Sequence, residues 1–361
     1  MRTTRRLLPM LILVLALAAA YPAAAQPAGQ AGPLPTVVVL ATGGTIAGTA
    51  GSSVQSGYTS GQLGVDQLLA AVPQARELAV LRGEQISNIG SQDMNDEVWF
   101  TLARRVNQLL ADPGVAGVVI THGTDTIEET AFFLDLVVTS DKPVVLTGSM
   151  RPSTALSADG PLNFYNAVAV AADPRAAGRG VLVVLNDEIH GAGSVTKTNT
   201  TSVQTFRSPL RGLVGTVAYG KGEFYRGAIG RHTTGSAFSL DGLTGLPRVD
   251  VVMAYENMDG TLIEAAAAAG AKGIVVAGVG DGNMTAAALK TMAALAKRGI
   301  VCVRSSRVMS GRVGRDVEVD DDALGLVASL DLNPQKARVL LRLALTRTTD
   351  AGAIQKYFEE Y

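Results

Sequence analysis

Three short strings carry most of the reactive side chains, and each follows an apolar, β-branched run. They are Thr42-Gly43-Gly44-Thr45-Ile46-Ala47-Gly48, Thr121-His122-Gly123-Thr124-Asp125-Thr126 and Gly148-Ser149-Met150-Arg151-Pro152-Ser153. Any one of them alone reads as a plain turn. Together they bring hydroxyls, glycines and one acid to one edge of one sheet. Gly43 and Gly44 let the backbone approach a ligand closely and aim amide N–H groups at it. Thr45 beside them is a candidate nucleophile, because such donors stabilise a nearby oxyanion. A threonine hydroxyl needs help to attack at neutral pH. Residues 48–64 are rich in Gly and Ser, and Tyr58 among them reads as a lid residue. Thr124-Asp125 opens a helical pattern with Glu128 and Glu129 in its first turn, so one reading makes it a helix cap. The other has a lysine activate Thr124. Lys197, in the polar run Ser194-Val195-Thr196-Lys197-Thr198-Asn199-Thr200-Thr201, is either that lysine or a solvated one.

The elements that must position these groups are those of an α/β fold. Short β-branched runs at 36–40, 115–121, 144–147 and 181–185 alternate with helical periodicity at 96–110 and 125–138. Continuous apolar runs of this length mark buried parallel strands, and open parallel sheets bind ligands outside the carboxyl ends of their strands. Around 227–248 the pattern lapses into Gly, Thr, Ser and Pro, then resumes with strands at 249–254, 274–277 and 300–303. The expectation is two α/β domains. The larger, N-terminal one spans 26–226 and has a mainly parallel sheet; a linker spans 227–247, and a smaller C-terminal α/β domain spans 248–361. Residues 1–25 read as a signal peptide. Arg2, Arg5 and Arg6 precede an apolar run at 7–20, and the small-residue pattern Pro22-Ala23-Ala24-Ala25 follows. That run is shorter than the roughly 20 residues a membrane span needs, so a periplasmic or secreted protein is expected, free of the membrane after cleavage near Ala25.

Composition removes several classes of function. The 361 residues carry 31 Lys+Arg against 32 Asp+Glu, a formal net charge of −1, with no basic excess for nucleic acid. One cysteine, Cys302, rules out an intramolecular disulfide, and it reads as an inert core residue. The three histidines, His122, His190 and His232, are too scattered for a metal site, and His122 reads as structural because a strand end buries its ring. Gly215-Thr216-Val217-Ala218-Tyr219-Gly220-Lys221-Gly222 nearly spells a phosphate loop, yet it ends in Gly222 where Ser or Thr should bind magnesium, so a β-turn is expected. Gly278-Val279-Gly280-Asp281-Gly282-Asn283 has Asn283 in the third glycine's place of a dinucleotide fingerprint, and reads as the cap of the next helix. Ser194-Val195-Thr196-Lys197 fits the S-x-x-K of serine β-lactamases, but S-D-N and K-T-G are absent, as is any G-x-S-x-G. An exported amino-acid-binding protein stays open as a rival of another class.

Longer motifs narrow the choice. Ala41-Thr42-Gly43-Gly44-Thr45-Ile46-Ala47-Gly48 and His122-Gly123-Thr124-Asp125-Thr126-Ile127-Glu128-Glu129-Thr130-Ala131 resemble the two signatures of bacterial L-asparaginases. Ile89-Gly90-Ser91-Gln92-Asp93-Met94-Asn95-Asp96, Met150-Arg151-Pro152-Ser153-Thr154, Val195 to Thr201, and Leu332-Asn333-Pro334-Gln335-Lys336-Ala337-Arg338 also match. Over residues 34–361 the chain is similar to the exported, type II (periplasmic) members of the asparaginase/glutaminase family. The resemblance implies hydrolysis of the side-chain amide of L-asparagine to L-aspartate and ammonia, with weaker action on L-glutamine and no metal or organic cofactor. A dual-specificity glutaminase-asparaginase is the nearest alternative. By resemblance, Thr45 is the nucleophile and Tyr58 the lid tyrosine that helps deprotonate it. Thr124, Asp125 and Lys197 form a second catalytic group in which Lys197 lowers the proton affinity of Thr124. Gly44 and Thr124 join the substrate site, Ser91 holds the α-carboxylate, and Asp125, Gln92 and Glu318 surround the α-ammonium. Ser149 contributes its backbone carbonyl. Glu318 and Asn257 come from a neighbouring subunit of an intimate dimer, and two such dimers make a homotetramer. The stretch around Asn257, Tyr255-Glu256-Asn257-Met258-Asp259, departs from the family pattern, and the single cysteine leaves no place for the disulfide of the enterobacterial enzyme.

Overall fold

The structure, a computed structural model, describes residues 32–54, 59 and 61–361. The expected signal peptide, and Tyr58, lie outside the described residues. From Leu34 onward the chain forms one compact unit. Its first half runs β1 (Thr36–Gly43), α1 (Val65–Ala71), β2 (Val80–Ile89), α2 (Asp96–Ala111), β3 (Gly117–Thr121), α3 (Ile127–Val137), β4 (Val144–Thr147), α4 (Gly160–Ala172) and β5 (Val181–Leu185). Short strands follow: β6 (Glu188–Gly191), β7 (Thr196–Lys197), β8 (Phe206–Arg207), β9 (Gly215–Ala218) and β10 (Lys221–Phe224). The second half holds β11 (Val249–Met253), α5 (Thr261–Ala268), β12 (Gly273–Gly278), α6 (Ala286–Lys297), β13 (Val301–Ser306), α7 (Asp321–Leu324), β14 (Val327–Ala328), α8 (Pro334–Ala344) and α9 (Ala351–Glu360).

The large sheet has the order β10-β9-β6-β5-β4-β3-β1-β2. Strands β2, β1, β3, β4 and β5 are parallel, while β6, β9 and β10 extend the edge antiparallel. A second sheet, β11-β12-β13-β14, is parallel throughout. The expected larger, mainly parallel sheet and smaller C-terminal one are both present. All of β3, β4 and β5 is buried, as strands covered by helices on both faces must be. Helix α2 starts where Asn95 accepts the Val98 N–H at 3.1 Å, with Asp96 and Glu97 favourably placed in its first turn. It ends just ahead of Pro113, which cannot continue a helix.

One hydrophobic core crosses between the two sheets. Phe132 and Phe133 of α3 and Val339 and Leu340 of α8 belong to the same buried cluster, which also takes in Val275 and Val303. Trp99 stacks on Phe133 with centroids 4.6 Å apart and donates its indole N–H to Thr130. Residues 227–247 hold only the 3-10 turn Thr233–Gly235, yet they are packed: Phe238 lies against the rings of Tyr357 and Tyr361. The near-phosphate-loop string is the hairpin β9–β10, turning at Tyr219 and Gly220, both at positive φ. Cys302 sits fully buried on β13, where burial pushes its thiol up to about 12, as suits a core residue.

Helix α3 also buries a carboxyl. Asp135 accepts the Val181 N–H at 2.7 Å, and burial pushes its pKa up to about 7. Its folded value stands above the unfolded one. The folded state therefore holds one more proton between roughly pH 4 and 7, and stability falls as pH rises through that window. Asp135→Asn keeps an acceptor for Val181 and removes the titration. Thermal melts from pH 4.5 to 8 should show the variant gaining a few degrees on the parent toward pH 8; parallel curves would contradict the assignment.

Candidate active site

Backbone contact between loops builds this site. After β1 the chain turns at Gly43 and Gly44, with φ of 108° and 83°, into the 3-10 turn Thr45–Ala47. A Cβ on Gly44 would lie 2.4 Å from the Cα and backbone N of Gly123, in the loop after β3. A Cβ on Gly123 would lie 2.5 Å from Ser91 Oγ, in the loop after β2. Three strand ends thus meet with no room for a side chain between them. The Gly44 N–H donates to the Ile89 carbonyl at 3.0 Å, so its amide ties two loops together, whereas the sequence reading had it aimed at a ligand.

The second string is pinned as tightly. Thr42 Oγ1 donates to the Thr121 carbonyl at 2.9 Å, Thr126 Oγ1 to the Ser91 carbonyl at 2.7 Å, and the Asp125 N–H to Ser91 Oγ at 3.2 Å. Helix α3 is preceded by Thr126, so the capping reading of Thr124 is set aside. The Thr124 hydroxyl instead accepts from Lys197 Nζ at 3.0 Å, and the same ammonium reaches Asp125 Oδ1 at 2.6 Å. The side chain of Lys197 is 19% exposed and that of Asp125 60%, so the pair straddles the mouth of a cleft. That cleft measures about 390 Å³, within the range of small-molecule sites, and is lined by Thr45, Thr124, Asp125, Lys197, Met150 and Arg151. Thr45 and Thr124 are both buried on its floor.

The third string lies alongside. Ser149 is buried with its hydroxyl donating to the Arg151 carbonyl, and Asp159 accepts the backbone N–H groups of Met150 and Arg151, both at 2.9 Å. His122 is wholly buried. Its Nδ1 meets the Gly123 carbonyl at 2.7 Å, and burial pushes its pKa down to about 4. A carbonyl only accepts, so Nδ1 carries the proton and the ring is neutral at pH 7, in keeping with the structural reading.

The fold brings Thr45, Thr124, Asp125 and Lys197 together, with Gly44 and Ser91 directly behind them. Gln92 is exposed beside Ser91, and its amide lies 3.4 Å from Asp93 Oδ2. Asn257 and Glu318 are not in this cleft; both are exposed on loops beyond the carboxyl ends of β11 and β13 in the smaller sheet. Asn257 occupies a turn at φ 55°. The asparagine bonded to Glu318 is Asn283, through its Nδ2. Sequence reading made Asn283 a helix cap, but Thr285 caps α6 by accepting the Ala288 N–H at 3.2 Å. The signal for Asn283 was its place just after a strand of the smaller sheet, the same signal that singled out Thr45 and Thr124. Among the described residues, no group of three or more His, Cys, Asp or Glu is disposed to hold a metal ion, and no helix is long and apolar enough to cross a membrane.

Two α/β halves with such a hydroxyl-rich strand edge suit an enzyme or a binding protein for a small molecule, and comparison with known proteins decides between them. The family model "Asparaginase, N-terminal" matches residues 36–229, and "Glutaminase/Asparaginase C-terminal domain" matches 248–358. The probable periplasmic L-asparaginase of Haemophilus influenzae is 54% identical over 332 residues, covering 92% of this chain and 95% of that protein. L-asparaginase 2 of Escherichia coli is 52% identical over 333 residues, with 92% and 95% covered. The crystal structure of a probable cytoplasmic L-asparaginase from Campylobacter jejuni superposes with a TM-score of 0.88 at 48% identity, covering 91% of this chain and all of that one. The chain belongs to the asparaginase family, and the rival reading as a binding protein falls.

The glycine contact generates a direct expectation. Gly44→Ala puts a methyl into the Gly123 backbone at a φ that L residues avoid, so it should cost about 2 kcal/mol or more of stability and most of the activity. Denaturant unfolding and turnover of the soluble fraction check this, and an active variant of parental stability would refute it.

Proposed function

We propose that the protein hydrolyses the side-chain amide of L-asparagine to L-aspartate and ammonia, with weaker action on L-glutamine. The observation that carries this reading is the Lys197 ammonium bonded at once to Thr124 and Asp125, in a cleft that Thr45 also lines. On this reading Thr45 Oγ attacks the amide carbon while its proton leaves toward Tyr58. The C–N bond then breaks as the nitrogen takes up a proton and departs as ammonia, leaving an ester on Thr45. A water then adds to the ester carbon as its proton passes to Thr124 beside Lys197, and the proton of Thr124 moves on to Thr45 Oγ as the ester C–O bond breaks, which restores the hydroxyl. The donated N–H from Lys197 stabilises negative charge on Thr124 Oγ1, the atom that must hold it.

Recognition of the substrate follows from its zwitterion. Ser91 takes the α-carboxylate, while Asp125, Gln92 and Glu318 surround the α-ammonium in charge-assisted bonds. A carboxylate has two oxygens, so Asp125 can keep Lys197 on Oδ1 and accept the ammonium on Oδ2. Gly44 and the Ser149 carbonyl complete the walls. Glu318 and Asn257 act across a subunit boundary, in an intimate dimer that pairs into a homotetramer. Their distance from the cleft in one chain supports this, as do the exposed apolar side chains Val251 and Met253 on β11 and Tyr255, Val308, Met309 and Val317 on the loops after β11 and β13. The breaks in family similarity at 229 and 248 support a division of the chain into domains at 26–226 and 248–361, joined by 227–247. Export after cleavage near Ala25 is supported by the leader-like residues and by a relative named periplasmic. The Campylobacter relative named cytoplasmic shares the fold, so the leader and not the fold carries that proposal.

Ammonia release from asparagine and glutamine, assayed side by side, tests the reading. Asparagine should win by about 10–200-fold in kcat/KM, the range one methylene commands. Thr45→Ala should lose at least about 10⁴-fold in kcat, and Lys197→Met about 10²–10⁴-fold. Comparable rates on the two amides would make this a dual-specificity glutaminase-asparaginase. Full activity in Thr45→Ala would remove the nucleophile, and an active monomer on dilution would remove the shared site.

A further inference from the structure

Lys197 sits on a strand of only two residues, which cannot fix a side chain to within a few tenths of an ångström unaided. Besides its pairing with β8, it is braced from the far end of the chain. The Lys336 ammonium, on the first turn of α8, donates to the carbonyl of Val195, two residues before Lys197. Asn333, which caps α8 by accepting the Lys336 N–H at 3.1 Å, points its Nδ2 at Thr196 Oγ1, 3.4 Å away. The same turn grips the other catalytic loop. Gln335 Nε2 donates to Glu128 Oε1, and Lys336 Nζ lies 3.5 Å from Glu128 Oε2. Glu128 is the second residue of α3, four positions after Thr124.

We infer that Asn333, Gln335 and Lys336 with Glu128 form a positioning strut, which sets the spacing between Lys197 and Thr124 and thereby the rate of the chemical step. The side chains of Lys336 and Glu128 are 2% and 7% exposed, so neither can trade its partner for water. Burial pushes the Lys336 pKa down while Glu128 and Glu129 hold it up, and the Val195 carbonyl completes its bonding. A salt bridge that served stability alone needs no bond to the strand carrying Lys197. This one bonds the residue that leads into that strand, and the cap residue adds a polar contact to Thr196 on the strand itself.

The inference rests on the reading of Lys197 as catalytic, and a double-mutant cycle separates the two. Lys336→Met and Asn333→Ser, the latter retaining a capping hydroxyl too short to reach Thr196, are each made in the parent and in Lys197→Met. Turnover of asparagine is followed on protein shown to be folded and of parental oligomeric state. In the parent background, Lys336→Met should lower kcat about tenfold or more and Asn333→Ser about threefold, with KM moving less than about threefold. In the Lys197→Met background neither should lower kcat further. Losses that multiply in both backgrounds, or parental kcat in folded Lys336→Met and Asn333→Ser, would overturn the strut. If Lys336→Met does not fold, Asn333→Ser and Gln335→Leu carry the same cycle with the same criterion. Should Lys197→Met itself retain parental kcat, the catalytic reading fails and the strut fails with it.

Discussion

The close approach of Gly44 to Gly123 is the constraint on which the site depends. Strands β1 and β3 are neighbours in the parallel sheet, hydrogen-bonded from Val37↔Gly117 to Ala41↔Thr121. Paired strands run roughly 4.8 Å apart, so the loops that leave their ends must pass each other at that spacing. A Cβ on Gly44 would sit 2.4 Å from the Gly123 backbone, far inside van der Waals contact. The two glycines let the loops touch, and the residue after each glycine is a threonine. Thr45 and Thr124 therefore face one cleft because buried strands hold them in register and no side chain separates their loops. The two threonines owe their placement to the core, as the proposed chemistry requires of preorganised groups.

Lys197 reaches the same cleft by a different route. The ribbon β7–β8 lies outside the large sheet and has no buried strand on either side to lock it. Its lysine ends between a buried hydroxyl and a largely exposed carboxylate, so the ammonium keeps some contact with solvent and needs no deep burial to be held. Electrostatics alone would leave such a side chain several rotamers. Its pairing with β8 orders the ribbon's backbone, and the first turn of α8 adds a bond to the carbonyl of Val195 just ahead of it and a contact to the Thr196 hydroxyl.

The sequence disclosed the parts of this arrangement that are local. Fully buried strands read as unbroken apolar runs, and β4 and β5 begin and end where those runs do. The groups following them were visible because loops after parallel strands are where chemistry collects. Local reading failed where one residue decides the outcome. Thr124 and Asn283 both looked like helix caps, yet both helices begin three residues later, with Thr126 and Thr285 in the capping places. An N-cap preference cannot discriminate among several adjacent polar candidates in such runs. Gly44 was legible as a glycine that must allow close approach, but what approaches is another backbone, not a ligand. The bond from Lys336 to Val195 spans 141 positions, and no periodicity or spacing announces a contact of that range. Asn333-Pro334-Gln335-Lys336 was recognisable only as a motif without a stated task.

On the strut inference, these contacts give the smaller domain a part in the proposed chemistry. The larger sheet supplies both threonines and Asp125, so the polar floor of the cleft looks complete without residues 248–361. Yet α8 shares one continuous core with α3, and its first turn alone bonds both to Glu128 behind Thr124 and to the strand of Lys197. A helix docked through apolar burial brings stability, whereas buried polar bonds fix register, since each tolerates little displacement before a group is left unpaired. The core thus holds the two halves together and the polar strut sets where they stop. A free N-terminal half would keep its two threonines and lose the partner that keeps Lys197 beside one of them.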